Sequence, residues 1–190
     1  MVGMILYTLF SETEAAVCTG RLGLPEEGVQ AHDFQSKLAH RLLEHGLSRF
    51  YGIGETPRLI WGDLGKPALW EHPEIRFNLS HTAGAVVCAL ASAEVGVDIE
   101  KLGPVRGKTA ERLSLPSESP AFWEEWVRRE AIIKYRGGSA LRCRKPVALQ
   151  AGETYQSLSI GDGFAAGLCT EETEETFQMI EVPLRDLLLL

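Results

Sequence analysis

Residues 77–100, FNLSHTAGAVVCALASAEVGVDIE, decide the fold. They lie across three strand-like runs, IRFNLS from Ile75, AVVCALA from Ala85 and VGVDIE from Val95. Each run is short, apolar or β-branched, and bounded by small or polar residues, which is the pattern of successive strands. The middle run has no polar face and reads as a strand covered on both sides. Chemistry-bearing groups gather at the edges: Asn78, Ser80 and His81 at one end, Asp98 and Glu100 at the other.

Outward from this stretch, MILYTLF (4–10) predicts a strand and 33–49 an amphipathic helix, with Phe34, Leu38, Leu42, Leu43 and Leu47 near helical spacing. PRLIW (57–61) reads as a strand and DLGKP (63–67) as a turn. Residues 101–120 are polar, with one short helix around 108–113. Ser119 as N-cap and Pro120 at the first helical position predict a helix through AFWEEWVRREAIIKYRGG, stopped by Gly137 and Gly138. YQSLSI, GFAAGLCT and FQMIEV add three strands, EETEET (171–176) is a solvated turn, and LRDLLLL is either a docked segment or a partner-binding tail. No internal repeat is evident. Runs of strands with two principal helices give an α+β class, not a doubly wound sheet.

The 190 residues suit one sizeable domain or two tightly fused small ones. A net charge of −7 argues against a general nucleic-acid binder. Cys18, Cys88, Cys143 and Cys169 are too scattered for a CxxC-type site, which fits a reduced interior. MVGMILYTLF lacks a basic leader and is too short to span a bilayer, so a cytoplasmic protein without membrane association is expected.

On a strand, Asp98 and Glu100 point to one face. Paired carboxylates repel unless a cation lies between them, and hard oxygen ligands without cysteine or histidine suit Mg²⁺. An exposed strand end is the plainer reading of an isolated DxE. Glu130 and Lys134 sit four apart on the predicted helix and share a face with Trp126; a surface ion pair explains them equally well. Between Arg128 and Lys145, seven basic residues meet one acid, Glu130, a segregation that fits phosphate oxygens or an acidic partner. His81 is either a phosphate contact or a histidine bonded to its turn.

GKP at 65–67, FNLSHT at 77–82, VGVDIE at 95–100 and WVRREAIIK at 126–134 occur in that order. Together they resemble the 4′-phosphopantetheinyl transferase superfamily, specifically its surfactin-synthetase-activating, two-lobed type. The resemblance implies two similar halves related by a pseudo-twofold axis, 1–94 on the nucleotide side and 95–190 with the metal and catalytic helix, and coenzyme A in the seam. It implies Mg²⁺ on Asp98, Glu100 and Glu130, with Glu130 as base and Lys134 against the pyrophosphate. It further implies Ser80, His81, Lys66 and Arg129 as coenzyme A contacts, and Lys37 and Arg41 as weaker nucleotide contacts. Arg142, Arg144 and Lys145 become docking residues for an apo acyl or peptidyl carrier protein, served by a monomer.

Two departures stand out. Arg129 replaces the family's lysine before the helix glutamate, putting a planar fork where the family has a point charge. Only 29 residues separate Glu100 from Glu130, a short connection for a two-lobed member. A non-catalytic carrier-binding homologue and a Mg²⁺-dependent pyrophosphate hydrolase are the competing readings. Retention of the three acids and Lys134 weighs against the first, and absence of a GxxxxGK[ST] loop or REx₂EE helix against the second.

Overall fold

The computed structural model describes residues 2–24, 31–55, 57–138, 145–172 and 176–189. In chain order these form β1 (Val2–Leu9), α1 (Glu12–Cys18), a 3₁₀ turn, α2 (Ala31–Tyr51), β2 (Leu59–Trp61), β3 (Pro67–Leu69), β4 (Arg76–Thr82), β5 (Ala85–Ala91) and β6 (Val95–Lys101). After them come α3 (Gly107–Leu113), α4 (Ala121–Tyr135), β7 (Glu153–Leu158), β8 (Phe164–Glu171), β9 (Thr176–Glu181) and α5 (Leu184–Leu187). The mixture is α+β, as the patterning predicts. No described helix is long and apolar enough to cross a membrane.

Two sheets stack between two helices. The first has order β4-β5-β1-β9, antiparallel except that β9 returns to run parallel to β1. The second, β6-β8-β7, is antiparallel. Phe34, Leu38, Leu42 and Leu47 of α2 pack on Leu6, Val86, Cys88 and Leu90 of the first sheet. The alternate residues Ile5, Val87 and Ala89 face Val97, Ile99 and Leu168 of the second. β5 is therefore buried at every position, which explains its unbroken apolar run. Each fully buried leucine or valine contributes roughly 2 kcal/mol, so this double-faced packing holds the layers together. α4 covers the far face of the second sheet, with Ala131 and Ile132 against Cys169 and Tyr155.

The approach of α4 to β6 depends on Gly96. A Cβ there would lie 2.2 Å from Ala131 O and 2.2 Å from Tyr135 N, so the helix rests directly on the strand backbone. The helix ends as the two glycines predict. Gly137 takes φ +78° and donates to Lys134 O (3.0 Å), while Gly138 donates to Ile133 O (2.8 Å), which fixes the last turn that carries Lys134.

β4 and β6 are edge strands of different sheets, and side chains join them. Asn78 Oδ1 accepts from Val97 N (2.8 Å) where a ladder carbonyl would otherwise stand. The LRDLLLL alternative resolves as docking for Leu184–Leu187, since Leu187 is buried in the core under α2.

Three expectations need correction. The N-cap of α4 is Pro120, not Ser119, and no side chain caps it; backbone bonds from Phe122 N to Glu118 O and Glu124 N to Pro120 O start the turn. α1 and β3 were not expected. α1 is opened by a capping box in which Ser11 accepts from Glu14 N and Glu14 accepts from Ser11 N.

Candidate active site

The seam between β4, β6 and α4 gathers five of the expected residues. Strand alternation turns Gly96, Asp98 and Glu100 towards α4 while Val97 and Ile99 enter the core. Asp98 is 2% exposed. Its Oδ1 accepts from Ser80 Oγ (2.7 Å) and from Lys134 Nζ (2.5 Å). Lys134 also donates to Ser80 Oγ (2.9 Å) and lies 3.8 Å from Glu130 Oε2, one turn earlier on α4. Glu100 Oε2 accepts from Thr82 Oγ1 (3.0 Å), and Trp126 on the helix side favours its charged form slightly.

The electrostatics are those of a cluster short of positive charge. Burial first, then Asp98, pushes both Glu100 and Glu130 up to about 7. Burial opposes the charge of Lys134, yet Asp98, Glu130 and Glu100 together raise its pKa. Asp98 Oδ2 is buried and has no hydrogen-bond partner among the described residues. An orphaned anionic oxygen is costly and draws a cation or a donor. All donors here are hard oxygens, which fits Mg²⁺ in kind. Among the described residues, no three side chains already converge as a metal cage. Lys134 Nζ sits on Asp98 Oδ1, where a cation would go.

The other expected residues lie around this cluster. His81 takes the opposite face of β4, towards α2, with its ring edge-on to His32 at 5.0 Å. Burial, reinforced by His32, Lys134 and His40, pushes its imidazole down to about 4. Lys37 is exposed on α2, and Arg41 pairs with Glu44 (3.2 Å). Lys66 reaches the start of β6, where Nζ contacts Glu94 Oε1 and donates to Val95 O (2.5 Å) and Tyr135 O (3.4 Å). Arg129, 3% exposed, donates to Leu113 O and Ser114 O (2.7 Å each) and to Glu125 Oε1 (3.0 Å), which fastens the end of α3 to α4. Lys145 is exposed, and Arg142 and Arg144 lie outside the described residues.

Sequence reasoning missed Thr82 and gave Asn78 no role. Both lie on the face of β4 that meets β6. The signal was the period-2 run Asn78, Ser80, Thr82, which resembles a solvated face but here meets Val97 N, Asp98 and Glu100 in turn.

No family model matches the chain. Curated relatives do. The chain is 37% identical over 120 residues to the 4′-phosphopantetheinyl transferase AcpT of Salmonella typhi, covering 55% of this chain and 60% of that one. It is 36% identical over 134 residues to AcpT of Escherichia coli strain K12, covering 62% and 66% respectively. It is 29% identical over 133 residues to the 4′-phosphopantetheinyl transferase Sfp of Bacillus subtilis strain 168, covering 60% and 59%. The matched region thus spans about 60% of the length of these relatives.

Proposed function

The chain belongs to the 4′-phosphopantetheinyl transferase superfamily, and from that premise we propose that it moves the 4′-phosphopantetheine arm of coenzyme A onto a serine of an apo acyl or peptidyl carrier protein. The observation that carries this reading is the acid cluster at the end of β6, with Lys134 lying on a carboxylate whose second oxygen is orphaned.

In this reading Asp98, Glu100 and Glu130 would hold Mg²⁺, which would supply positive charge against the pyrophosphate of coenzyme A. Glu130 takes the proton of the carrier serine. The serine oxygen bonds to the β-phosphate, its bond to the bridging oxygen breaks, and 3′,5′-bisphosphoadenosine departs. Lys134 stabilises the negative charge on the leaving phosphate. To do so it exchanges Asp98 Oδ1 for a phosphate oxygen. Ser80 contacts the phosphates from the seam face of β4, and His81 keeps its proposed place as a coenzyme A contact on the α2 side of the same strand.

Lys66 and Arg129 remain in the proposal as coenzyme A contacts, Lys66 at the nucleotide end, but each must release protein partners first. Arg142, Arg144 and Lys145 keep their proposed place as docking residues for an acidic carrier. We read the two sheet-and-helix layers as the two halves, 1–94 and 95–190, of one monomer, with β9 crossing into the first sheet. Cytoplasmic location belongs to the same proposal.

The test is to weigh a panel of apo carrier proteins by intact mass spectrometry after incubation with the protein, coenzyme A and Mg²⁺. Gain of one phosphopantetheine arm, abolished by EDTA, is the expected result. Loss of coenzyme A with no carrier labelled would instead indicate hydrolysis.

A further inference from the structure

We propose that Thr82 is a positioning residue for the acid cluster: its hydroxyl fixes the orientation of Glu100 and so sets how tightly the cluster holds a divalent cation. The inference rests on the transferase reading and adds a residue to it.

Three alternate residues of β4 reach across the seam, and each has a different task. Asn78 bonds only backbone, at Val97 N. Ser80 is shared between Asp98 and Lys134, so its hydroxyl orientation changes whenever the lysine moves. Thr82 accepts from Lys101 N (3.3 Å) and donates to Glu100 Oε2 (3.0 Å). A hydroxyl has one proton, and the incoming amide turns that proton towards the carboxylate. The backbone of β6 therefore orients the donor that holds a side chain of β6, a closed loop through residues 82, 100 and 101.

Glu100 needs such a hold more than its neighbours do. Asp98 has a short side chain packed in the seam, and Glu130 is fixed to a helix turn beside Lys134. Glu100 stands near the end of β6, with a longer side chain to order. Thr82 fixes it from β4. Partners of ligating carboxylates commonly change metal affinity 10- to 100-fold when removed.

The substitution Thr82→Val retains the shape and the β-branch that a strand prefers, and removes only the hydroxyl. Thr82→Ser retains the hydroxyl and removes the methyl. The experiment is calorimetric titration of Mg²⁺ into protein saturated with coenzyme A, with circular dichroism and a melting temperature for each variant. Wild type and Thr82→Ser are expected to bind within about twofold of each other, and Thr82→Val roughly 10-fold more weakly. Equal binding by Thr82→Val and wild type would overturn the role of Thr82 while leaving the transferase reading standing. Equal weakening in both variants would also overturn it, since shape and not the hydroxyl would then matter. Absence of Mg²⁺ binding by the folded wild type would overturn the cation site itself, a result distinct from either.

Discussion

Two lysines meet β6, one at its start and one at its middle, and they are pulled in opposite directions. At the start of the strand, Lys66 has one carboxylate, Glu94, and two carbonyls. Burial outweighs them and lowers its pKa. Towards the other end, Lys134 is also buried, but Asp98, Glu130 and Glu100 overcome the desolvation and raise it. The first arrangement satisfies its groups and acts as a latch between the β2–β3 ribbon, β6 and α4. The second leaves a buried oxygen without a donor and two acids near neutrality. One strand thus carries a structural ion pair and a charge imbalance about 10 Å apart along its length, by the ordinary rise per residue. Imbalance, more than the presence of charge, distinguishes the candidate site.

The contact that serves both ends is the one to break first. Gly96→Ala drives a methyl into Ala131 O and the Tyr135 backbone, and should destabilise the fold by about 4 kcal/mol or more, read from denaturant unfolding. A normal midpoint would show that α4 can shift outward without loss. Next, Lys134→Met strands the carboxylates and should cost about 3 kcal/mol, whereas Lys66→Met leaves the part-exposed Glu94 to Arg76, 4.0 Å away, and should cost about 1 kcal/mol. Equal losses would erase the distinction between the ends.

Arg129→Lys sharpens the same contrast. A lysine cannot span two successive carbonyls as the guanidinium does, so stability should fall by about 1 kcal/mol. If pinning α3 is the main use of Arg129, the KM for coenzyme A stays within twofold. A large rise in that KM with unchanged melting would assign the arginine to phosphate.

The last test is a pH slope. Glu130 is held at about 7 against an ordinary 4.5, so between those values the folded protein binds more protons than the unfolded chain. Raising the pH through that window therefore lowers stability. In EDTA, wild type should lose melting temperature relative to Glu130→Gln between pH 5 and pH 8. His81, held at about 4, has the opposite slope, but both proteins carry it and it cancels. A gap that does not change with pH would contradict the crowding of acids at this end.

Much of this was legible in the sequence. The uniform apolar run of β5 announced a strand covered on both faces, and the spacing of Asp98 with Glu100 and of Glu130 with Lys134 announced shared faces. What stayed hidden was long-range. The pairing of β9 with β1 joins residues about 174 apart in sequence, and nothing local encodes it. The protein partners of Lys66 and Arg129 stayed hidden because a cation displays its charge but not its partner, and most of those partners lie 15 to 69 residues away. Thr82 was overlooked because polar alternation on a short edge strand looks like a wet face. Nothing local at Gly96 encodes the helix backbone that lies against it.

The central claim is that the acid-rich end of β6 performs the transfer, and a single substitution tests it. Asp98→Asn keeps an acceptor for Ser80 and nearly the same shape while removing the charge nearest the orphaned oxygen. Weighed after incubation with coenzyme A and Mg²⁺, an apo carrier should gain one phosphopantetheine arm with wild type and none with folded Asp98→Asn. Equal labelling by the two proteins would contradict the account.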